Sequence, residues 1–368
     1  MKIALVAAHY IPRLGYLEVH LSKAFSNLEH NVQVFTTDVF PSYLKHQEGD
    51  FGTAPGGVKV NRYSPIISFG QIARVRGLKK RIREFQPELI VVIGLGKWFP
   101  KPVYDLNIPI YTLLGDNAYT YAKASWKSKL LFELFKRSTY QKALKKSARI
   151  YHYTPETPDV VGSILGKNYK KHLDKSIEIT LGYWSNEFFF DQKLRNEWRA
   201  KLGFGHNDKV VITATRIVAE KKLEDQIAFF KDSDDSIKWL ILGASDNAYS
   251  KKLQRFLESS LGKERVILLP YASRSELNNY YNAADLALFT VPAISIFEAL
   301  GAGLKLRIPE VETLSRLTKK SLRASIISEP LSPSQFDYNR MEVASEAERE
   351  FEWQNIARKI LVENPVNS

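Results

Sequence analysis

The chain contains no cysteine, although it is 368 residues long. Disulfide bonds and thiolate metal sites are therefore excluded, which fits a reducing compartment such as the cytoplasm. Long apolar runs are lacking too, because no window reaches the ~20 apolar residues that a transmembrane helix needs. The opening MKIALVAAHYIP has too short an apolar run for a signal peptide, and no cleavage-type boundary follows it. We interpret it as a buried first strand.

The excess positive charge lies in the first half of the chain. The net charge is +13, and residues 1–180 hold 27 Lys and Arg against 14 Asp and Glu, whereas residues 181–368 hold 26 of each. Segment 123–149 is strongly basic and interleaves its lysines with aromatic residues and leucines (KASWKSKLLFELFKRSTYQKALKK). We expect this segment to contact an anionic membrane surface. A nucleic acid, an acidic substrate and a merely solvated helix face are the alternatives.

Strand and helix signals alternate along the chain, which predicts α/β domains with parallel sheets. Continuous apolar runs such as KIALVAA (2–8) and LIVVIG (89–94) are typical of strands covered on both faces. The alternation starts again at KVVITAT (209–215), and IKWLILGA (237–244) follows it. The pattern therefore predicts two doubly wound domains that face each other across a cleft.

The length of the chain supports the same division, because it is too great for one ordinary hydrophobic core. We predict a first domain over 1–180 and a second over 181–345. The amphipathic stretch ASEAEREFEWQNIARKILVEN predicts a closing helix, so residues 346–368 form a third, separate segment.

Residues that directly follow strands are the candidates for a binding site, because open parallel sheets bind ligands beyond the carboxyl ends of their strands. Arg216 follows the strand 209–215, and Lys221 comes five residues later at a helix start. Two cations in such a place suit a diphosphate, although two exposed, unrelated cations are the alternative. Gly243 and Tyr271 follow the next two strands.

Glu298 lies inside the apolar run ISIFEALGAGLKLRIP, where a carboxylate needs a partner or water. It falls in the first turn of a predicted helix, where negative charge is favoured and a purely structural role is one interpretation. The other is that it accepts hydrogen bonds from vicinal sugar hydroxyls, as acids do with ribose in dinucleotide folds. Backbone N–H groups of the preceding loop 291–295 would then bind phosphate.

In the first half, Gly15 and Tyr16 lie between a strand and a helix, where glycine permits close approach of a ligand. His9 follows the first strand and either lines the cleft or is structural.

Taken together, several stretches resemble retaining glycosyltransferases of family 4, whose architecture, called GT-B, has two facing Rossmann-like domains. YIPRLGYLEVHLSKAFSNLEHNVQVFTTD resembles the opening of that family, TRIVAEKKLEDQI its Gly-Arg-Leu-x-x-x-Lys-Gly segment, and YYNAADLALFTVPAISIFEALGAGL its Glu-x7-Glu segment. FEWQNIARKIL is similar to its terminal helix, which crosses back to the first domain. The resemblance covers nearly the whole chain.

The resemblance implies roles for particular residues. Arg216 and Lys221 match the cations that hold the donor diphosphate, and Glu298 matches the acid that binds the nucleotide ribose. We expect catalytic roles for Arg216, Lys221 and Asp116, and acceptor-side roles for His9, Asp116 and Asn117. The donor-binding set comprises Gly15, Tyr16, Arg216, Lys221, Gly243, Tyr271, Thr290, Ser295, Ile296 and Glu298.

The sequence departs from the family pattern at several of these places. Thr290 stands where the motif has its first Glu, so the chain resembles a variant group that lacks this acid. Thr215 and Lys222 stand where the family has Gly, and Lys305 where it has Pro. Gly115-Asp116-Asn117 replaces a His that is often found after the fourth strand.

The function implied by the resemblance is transfer of a sugar from a UDP- or GDP-sugar, with retention, to a hydroxyl of a glycan or lipid-linked acceptor. No cofactor and no metal are expected, and the location would be cytoplasmic, at the inner face of the cell membrane. An inactive relative that only binds sugar nucleotide is the main alternative, given Thr290. A nicotinamide dehydrogenase is disfavoured because no Gly-x-Gly-x-x-Gly follows the first strand, and no nucleic-acid-binding module is recognisable.

Overall fold

The structure is a computed structural model, and the chain forms two units. The first unit comprises Met1–Thr180 together with the chain from Ile356 onward, and the second comprises Leu181–Asn355. The residues that the structure describes are 1–40, 51–69, 72–95, 98–116, 130, 132–231, 233–290, 293–308, 326–327 and 331–362.

A seven-stranded parallel sheet forms the centre of the first unit, in the order β3-β2-β1-β6-β7-β8-β9. The central strands are mostly apolar and, apart from Lys2 at the start of the first, buried along their length, as expected of a sheet that is covered on both faces. The strands are β1 (Lys2–Ala7), β2 (Asn31–Thr37), β3 (Lys59–Tyr63), β6 (Leu89–Ile93), β7 (Ile110–Leu114), β8 (Arg149–His152) and β9 (Ile177–Glu178).

Helices connect these strands, and a short antiparallel pair precedes one of them. That pair is β4 (Ile67–Phe69) and β5 (Ile72–Arg74). The described α-helices of this unit are α1 (Leu17–Asn27), α2 (Leu78–Phe85), α3 (Arg137–Lys146), α4 (Thr157–Leu165) and α5 (Lys167–Leu173).

The second unit is built on a six-stranded parallel sheet in the order β12-β11-β10-β13-β14-β15. Successive residues of its first strand pack into two different hydrophobic clusters of the core. Val210 and Ile212 belong to one cluster, and Val211 belongs to the other. This is the period of two that a strand with two buried faces requires. The strands are β10 (Lys209–Ala214), β11 (Ile237–Ala244), β12 (Val266–Pro270), β13 (Leu286–Leu288), β14 (Lys305–Arg307) and β15 (Ile326–Ile327).

Four of the described helices of the second unit start at recognisable caps. Side chains of Asp191, Asn247 and Asn339 accept hydrogen bonds from first-turn N–H groups, and Ser273 with Glu276 forms a capping box. The described helices are α6 (Gln192–Lys201), α7 (Ile227–Lys231), α8 (Ala248–Leu261), α9 (Arg274–Ala283), α10 (Ser295–Gly301) and α11 (Arg340–Phe351).

The predicted closing helix is interrupted at Glu352, and a further helix, α12 (Trp353–Val362), follows. Glu352 has an extended backbone and forms a β-bridge with Tyr183. The Tyr183 N–H donates to the Phe351 carbonyl at 3.0 Å and its carbonyl accepts from the Trp353 N–H at 3.1 Å, which replaces helical bonds at the break. Further along, the Tyr151 hydroxyl in the first unit donates to the carbonyl of Ile360 at 3.1 Å.

Both sheets reverse their strand order next to a central strand. In the first sheet the chain runs outward from β1 to β3 and then returns to the other side of β1 with β6. In the second it runs from β10 to β12 and returns with β13. The carboxyl edge at such a switch point is where doubly wound sheets bind their ligands. In the second unit this edge lies beyond the ends of β10 and β13.

Candidate functional site

Arg216 and Lys221 lie beyond the carboxyl end of β10, at the switch point of the second sheet. Arg216 is exposed and Lys221 is half-buried. Burial and the nearby Arg216 charge both lower the pKa of Lys221. Neither side chain forms a hydrogen bond or ion pair with an acid among the described residues. Two like charges thus lie close together, an arrangement that a bound anion would stabilise.

The turn that carries Lys221 has a strained residue directly after it. Lys222 has φ 48° and ψ 47°, in the left-handed region that glycine adopts most easily. It joins two 3-10 turns, Ala219–Lys221 and Leu223–Gln226, and Leu223 is fully buried beneath it. Glycine would adopt this conformation without strain, and this chain adopts it with lysine.

Gly243 is the second-last residue of β11 and lies beside the end of β10. Its φ is 122°, and a Cβ atom placed there would lie 1.9 Å from the Thr215 carbonyl oxygen. No side chain fits at this position. Gly243 thus permits the chain to pass close to the Thr215–Arg216 peptide and fixes the backbone from which Arg216 projects.

Glu298 has a partner that the sequence analysis did not identify. The side chain of Glu298 is 4% exposed, and Arg274 Nη1 donates to its Oε1 at 2.6 Å. Arg274 Nε donates to Glu187 Oε2 at 3.0 Å. The acid in the apolar run is therefore one end of a Glu187–Arg274–Glu298 chain that joins the segment before α6 to the starts of α9 and α10.

The two ends of the buried ion pair have different surroundings. Burial raises the pKa of Glu298, and the positive charge of Arg274 offsets this only in part. Arg274 is 44% exposed at its side chain, and the two acids beside it raise its pKa despite partial burial. The arginine remains charged, whereas the carboxylate is held ionised against a desolvation cost.

A weak signal of this pair exists in the sequence. Ser273 and Glu276 mark a helix start, and Arg274 lies in the first turn, where a positive charge opposes the helix dipole. A cation in that position indicates a partner elsewhere. Which residue is the partner depends on how α9 packs against α10, and no local sequence pattern shows that packing.

The other residues predicted to bind the donor follow strands at the same edge of the second sheet or begin the next helix. Thr290 follows β13 and Ser295 begins α10, and both side chains are half-buried. Ile296 is buried, and its N–H donates to the Ala293 carbonyl at 3.2 Å. Tyr271 follows β12 and is 75% exposed. Two residues of the loop 291–295, 291 and 292, lie outside the described residues.

In the first unit, the predicted residues follow β1 and β7. Gly15 has φ 59°, and a Cβ there would lie 3.2 Å from Nε2 of His20, so glycine suits the turn. Tyr16 is the N-cap residue of α1 and is 37% exposed. His9 Nδ1 donates to the Val39 carbonyl at 2.8 Å, which fixes the ring orientation.

Asp116 follows β7 and is held by its neighbours. The Tyr140 hydroxyl donates to Asp116 Oδ1 at 2.6 Å, and Thr157 Oγ1 donates to its carbonyl at 2.7 Å. Gly115 is required before it, because a Cβ there would lie 2.0 Å from the Tyr153 ring. Asn117 and most of the segment 123–149 before residue 130 lie outside the described residues.

Two parallel α/β sheets with this strand order, one in each unit, define the GT-B class of fold: two Rossmann-like domains. The described residues contain no cluster of three or more His, Asp or Glu that is arranged to bind a metal ion. Within the same residues, every helix is too short or too polar to cross a bilayer.

Comparisons with known proteins agree with this fold. The family model described as "Glycosyl transferases group 1" matches residues 195–305, which include Arg216, Lys221 and Glu298. A comparison with curated protein sequences gives no match.

Three solved structures illustrate the likeness. HepE (Alr3699) of Anabaena, in complex with UDP and glucose, is 14% identical, with a TM-score of 0.67 over 98% of each chain. Sucrose-phosphate synthase of Thermosynechococcus elongatus is 14% identical, with a TM-score of 0.61 over 98% of each chain. WaaG, a glycosyltransferase involved in lipopolysaccharide biosynthesis, is 14% identical, with a TM-score of 0.56 over 99% of this chain and 96% of that one.

Proposed function

We propose that the chain is a retaining glycosyltransferase similar to family 4, which transfers a sugar from a nucleoside diphosphate sugar to an acceptor hydroxyl. The observation that carries this proposal is the pair Arg216 and Lys221 at the switch point of the second sheet. The segment that holds both cations is the one that the glycosyltransferase family model matches. The GT-B fold and a relative crystallised with UDP and glucose support it.

The diphosphate of the donor would lie against the two cations. Arg216 and Lys221 are near each other and have no acidic partner among the described residues, so a diphosphate would supply the missing negative charge. Thr290 and Ser295 would contact the donor from the neighbouring strand end and helix start. Gly243 would act indirectly, because it holds the backbone beside Arg216.

Glu298 would accept hydrogen bonds from the ribose hydroxyls. Its Oε1 is bound by Arg274, and that is the only hydrogen bond the described residues give this carboxylate. Arg274 would therefore orient the carboxylate and keep it ionised, while Oε2 accepts from the ligand. The base is expected to be uracil or guanine, and HepE binds UDP.

The chemical step requires stabilisation of the departing diphosphate. Arg216 and Lys221 would stabilise the charge that develops on the phosphate oxygens, which is the work a metal ion does in other transferases. Thr290 is a neutral residue at the place where the family that the chain resembles has an acid near the donor sugar. Attack from the front face would give retention without a protein nucleophile.

The first unit would receive the acceptor, a glycan or a lipid-linked sugar. Asp116 is positioned by Tyr140 and would contact the acceptor hydroxyl, with Gly15, Tyr16 and His9 on the same side. The basic segment 123–149 would contact an anionic membrane from the cytoplasmic side. WaaG, whose fold is similar, acts in lipopolysaccharide biosynthesis, which agrees with a role in the cell envelope.

A thermal-shift screen tests the donor proposal. Purified chain is heated with UDP, GDP, ADP and TDP and with their glucose conjugates, and one ligand is expected to raise the melting temperature. The shift should disappear in Arg216→Gln and Glu298→Gln variants that fold normally by circular dichroism. Absence of a shift with every nucleotide would contradict the proposal. NMR of the product from the donor that binds then reports retention or inversion.

A further inference from the structure

A cavity in the first unit carries a concentration of positive charge that the donor site does not use. Its volume is about 920 Å³, and seven of its fifteen lining residues are Lys or Arg, against a single acid, Asp105. A cavity of this size is large enough for a small molecule rather than a single ion.

Most of the cations come from one stretch of chain. β5 ends at Arg74 and α2 begins four residues later, and the five cations of this stretch that line the cavity are Arg74, Arg76, Lys79, Lys80 and Arg83. Gly77, the N-cap residue, has φ 78° and provides no capping side chain, so the first N–H groups of α2 are not capped by it. These N–H groups add partial positive charge to the same wall.

The two further lysines of the lining, Lys101 and Lys142, differ in their contacts. Lys142 is paired with Asp105 at 2.6 Å, and Lys142 and Lys79 both hold the pKa of Asp105 below its ordinary value. Lys101 donates to Ser138 Oγ at 2.7 Å, so a neutral hydroxyl holds it. The single acid of the cavity is thus engaged by lysine, and Glu84, outside the lining, lies 4.0 Å from Lys80 Nζ. The other five of the seven cations form no ion pair with an acid among the described residues, so most of the positive charge is uncompensated.

Trp98 forms an aromatic wall of the cavity and has a strained backbone. Its φ is 61°, in the left-handed region that a tryptophan adopts only at a cost. The Arg74 guanidinium lies 5.7 Å from the centre of its ring, and Phe135 packs at 5.3 Å from it. The strain places an indole beside a guanidinium in the cavity wall, a combination that suits a sugar or another planar or ring-shaped group next to an anion.

We propose that this cavity binds a phosphate ester, carried by a soluble phosphorylated sugar or by a lipid headgroup. Arginine and lysine are the side chains that bind phosphate most strongly, and Trp98 supplies an apolar face for the organic part of the ligand. The side chains of Arg76 and Arg83 are exposed, and they form no hydrogen bond, ion pair or aromatic contact with any residue the structure describes. They therefore offer the most accessible charge.

The proposal stands independently of the donor site and is tested in a background that removes it. The full-length Arg216→Ala/Lys221→Ala protein is titrated by calorimetry with glucose 6-phosphate, with glucose as the neutral control. The same protein is sedimented with phosphatidylcholine vesicles that contain or lack phosphatidylglycerol. Binding of glucose 6-phosphate identifies a soluble ester, and binding only to phosphatidylglycerol vesicles points to a headgroup. Because the segment 123–149 is also expected to contact anionic membranes, the vesicle result supports the cavity only if substitution of Arg76 and Arg83 weakens it, and it contradicts the proposal if that substitution has no effect.

Two matched variants decide whether the cavity is responsible. Arg76→Gln with Arg83→Gln should weaken binding of the active probe by about tenfold or more, since hydrogen bonds to charged groups are lost. Lys171→Gln with Lys175→Gln removes the same charge from exposed positions of the same unit and should change affinity by less than about twofold. If neither probe binds, or if both pairs reduce binding equally, the proposal is wrong.

Discussion

Replacement of Arg274 by Met would leave the buried Glu298 carboxylate without its cation. The Glu298 side chain is 4% exposed and the arginine 44%, so the carboxylate is almost fully desolvated and the guanidinium only partly. Removal of one partner of a fully buried pair costs about 3–5 kcal/mol. Because Arg274 is half-exposed, we expect a smaller loss of about 2–3 kcal/mol in the free energy of unfolding at neutral pH.

The loss should depend on pH in a defined direction. Burial raises the pKa of Glu298 above its ordinary 4.5, so the folded state keeps this proton to higher pH than the unfolded state does. The contribution of Glu298 to the free energy of unfolding is therefore greatest below its ordinary pKa. It falls as the pH rises through the folded-state pKa, because the folded protein must then carry a buried negative charge. Arg274→Met raises the folded-state pKa further, so the variant should approach wild-type stability near pH 4.5 and fall below it toward neutral pH.

Urea unfolding at several pH values, followed by tryptophan fluorescence, measures this loss in the free energy of unfolding. The signal reports on the second unit, because four of the six tryptophans lie there. Glu187→Gln is the matched control, since it removes the exposed arm of the same arginine and should cost less than about 1 kcal/mol. The double variant Arg274→Met/Glu298→Gln should recover most of the loss. A loss that is independent of pH, or that persists in the double variant, would refute the buried-charge reasoning.

Three further substitutions test the backbone and packing of the second unit. Gly243→Ala should lower the free energy of urea unfolding by more than about 2 kcal/mol, because its Cβ would lie 1.9 Å from the Thr215 carbonyl oxygen; an unchanged midpoint would contradict the contact. Lys222→Gly should raise stability by up to about 1 kcal/mol by relieving a left-handed φ, and a clear decrease in melting temperature would be inconsistent with this. Arg340→Met should cost about 3–5 kcal/mol in urea unfolding, since the buried guanidinium donates to four backbone carbonyls, and a variant of wild-type stability would show that these bonds contribute nothing.

The buried strands were predictable because their apolar runs are long and unbroken. IKWLILGA was predicted over the residues that form β11, and LIVVIG differs from β6 by one residue. The strands β3, β4 and β5 have no long apolar run. β3 is partly exposed and mixes polar with apolar residues, and β4 and β5 are three residues long. The pairing of β3 with β2, which no local pattern specifies, makes it a strand.

The candidate site shows the same division between local and long-range information. The positions of Arg216 and Lys221 beyond the end of β10 were predictable, because the strand fixes where the residues after it lie, and their role stays a prediction. The partner of Glu298 was not, since Arg274 precedes it by 24 residues and meets it only when α9 packs against α10. The break at Glu352 was also missed, because the bridge to Tyr183 that causes it lies far away in the sequence.

The most direct test of the account is the affinity of the nucleoside diphosphate that gives the largest thermal shift. Calorimetry should show that Arg216→Gln with Lys221→Gln raises the Kd by about a hundredfold or more, because two charge-assisted contacts to the diphosphate are lost. Lys252→Gln with Lys263→Gln, which removes equal charge from exposed positions of the same unit, should leave the Kd within about twofold. Equal affinities in the two double variants would contradict the claim that the cations after β10 bind the donor diphosphate.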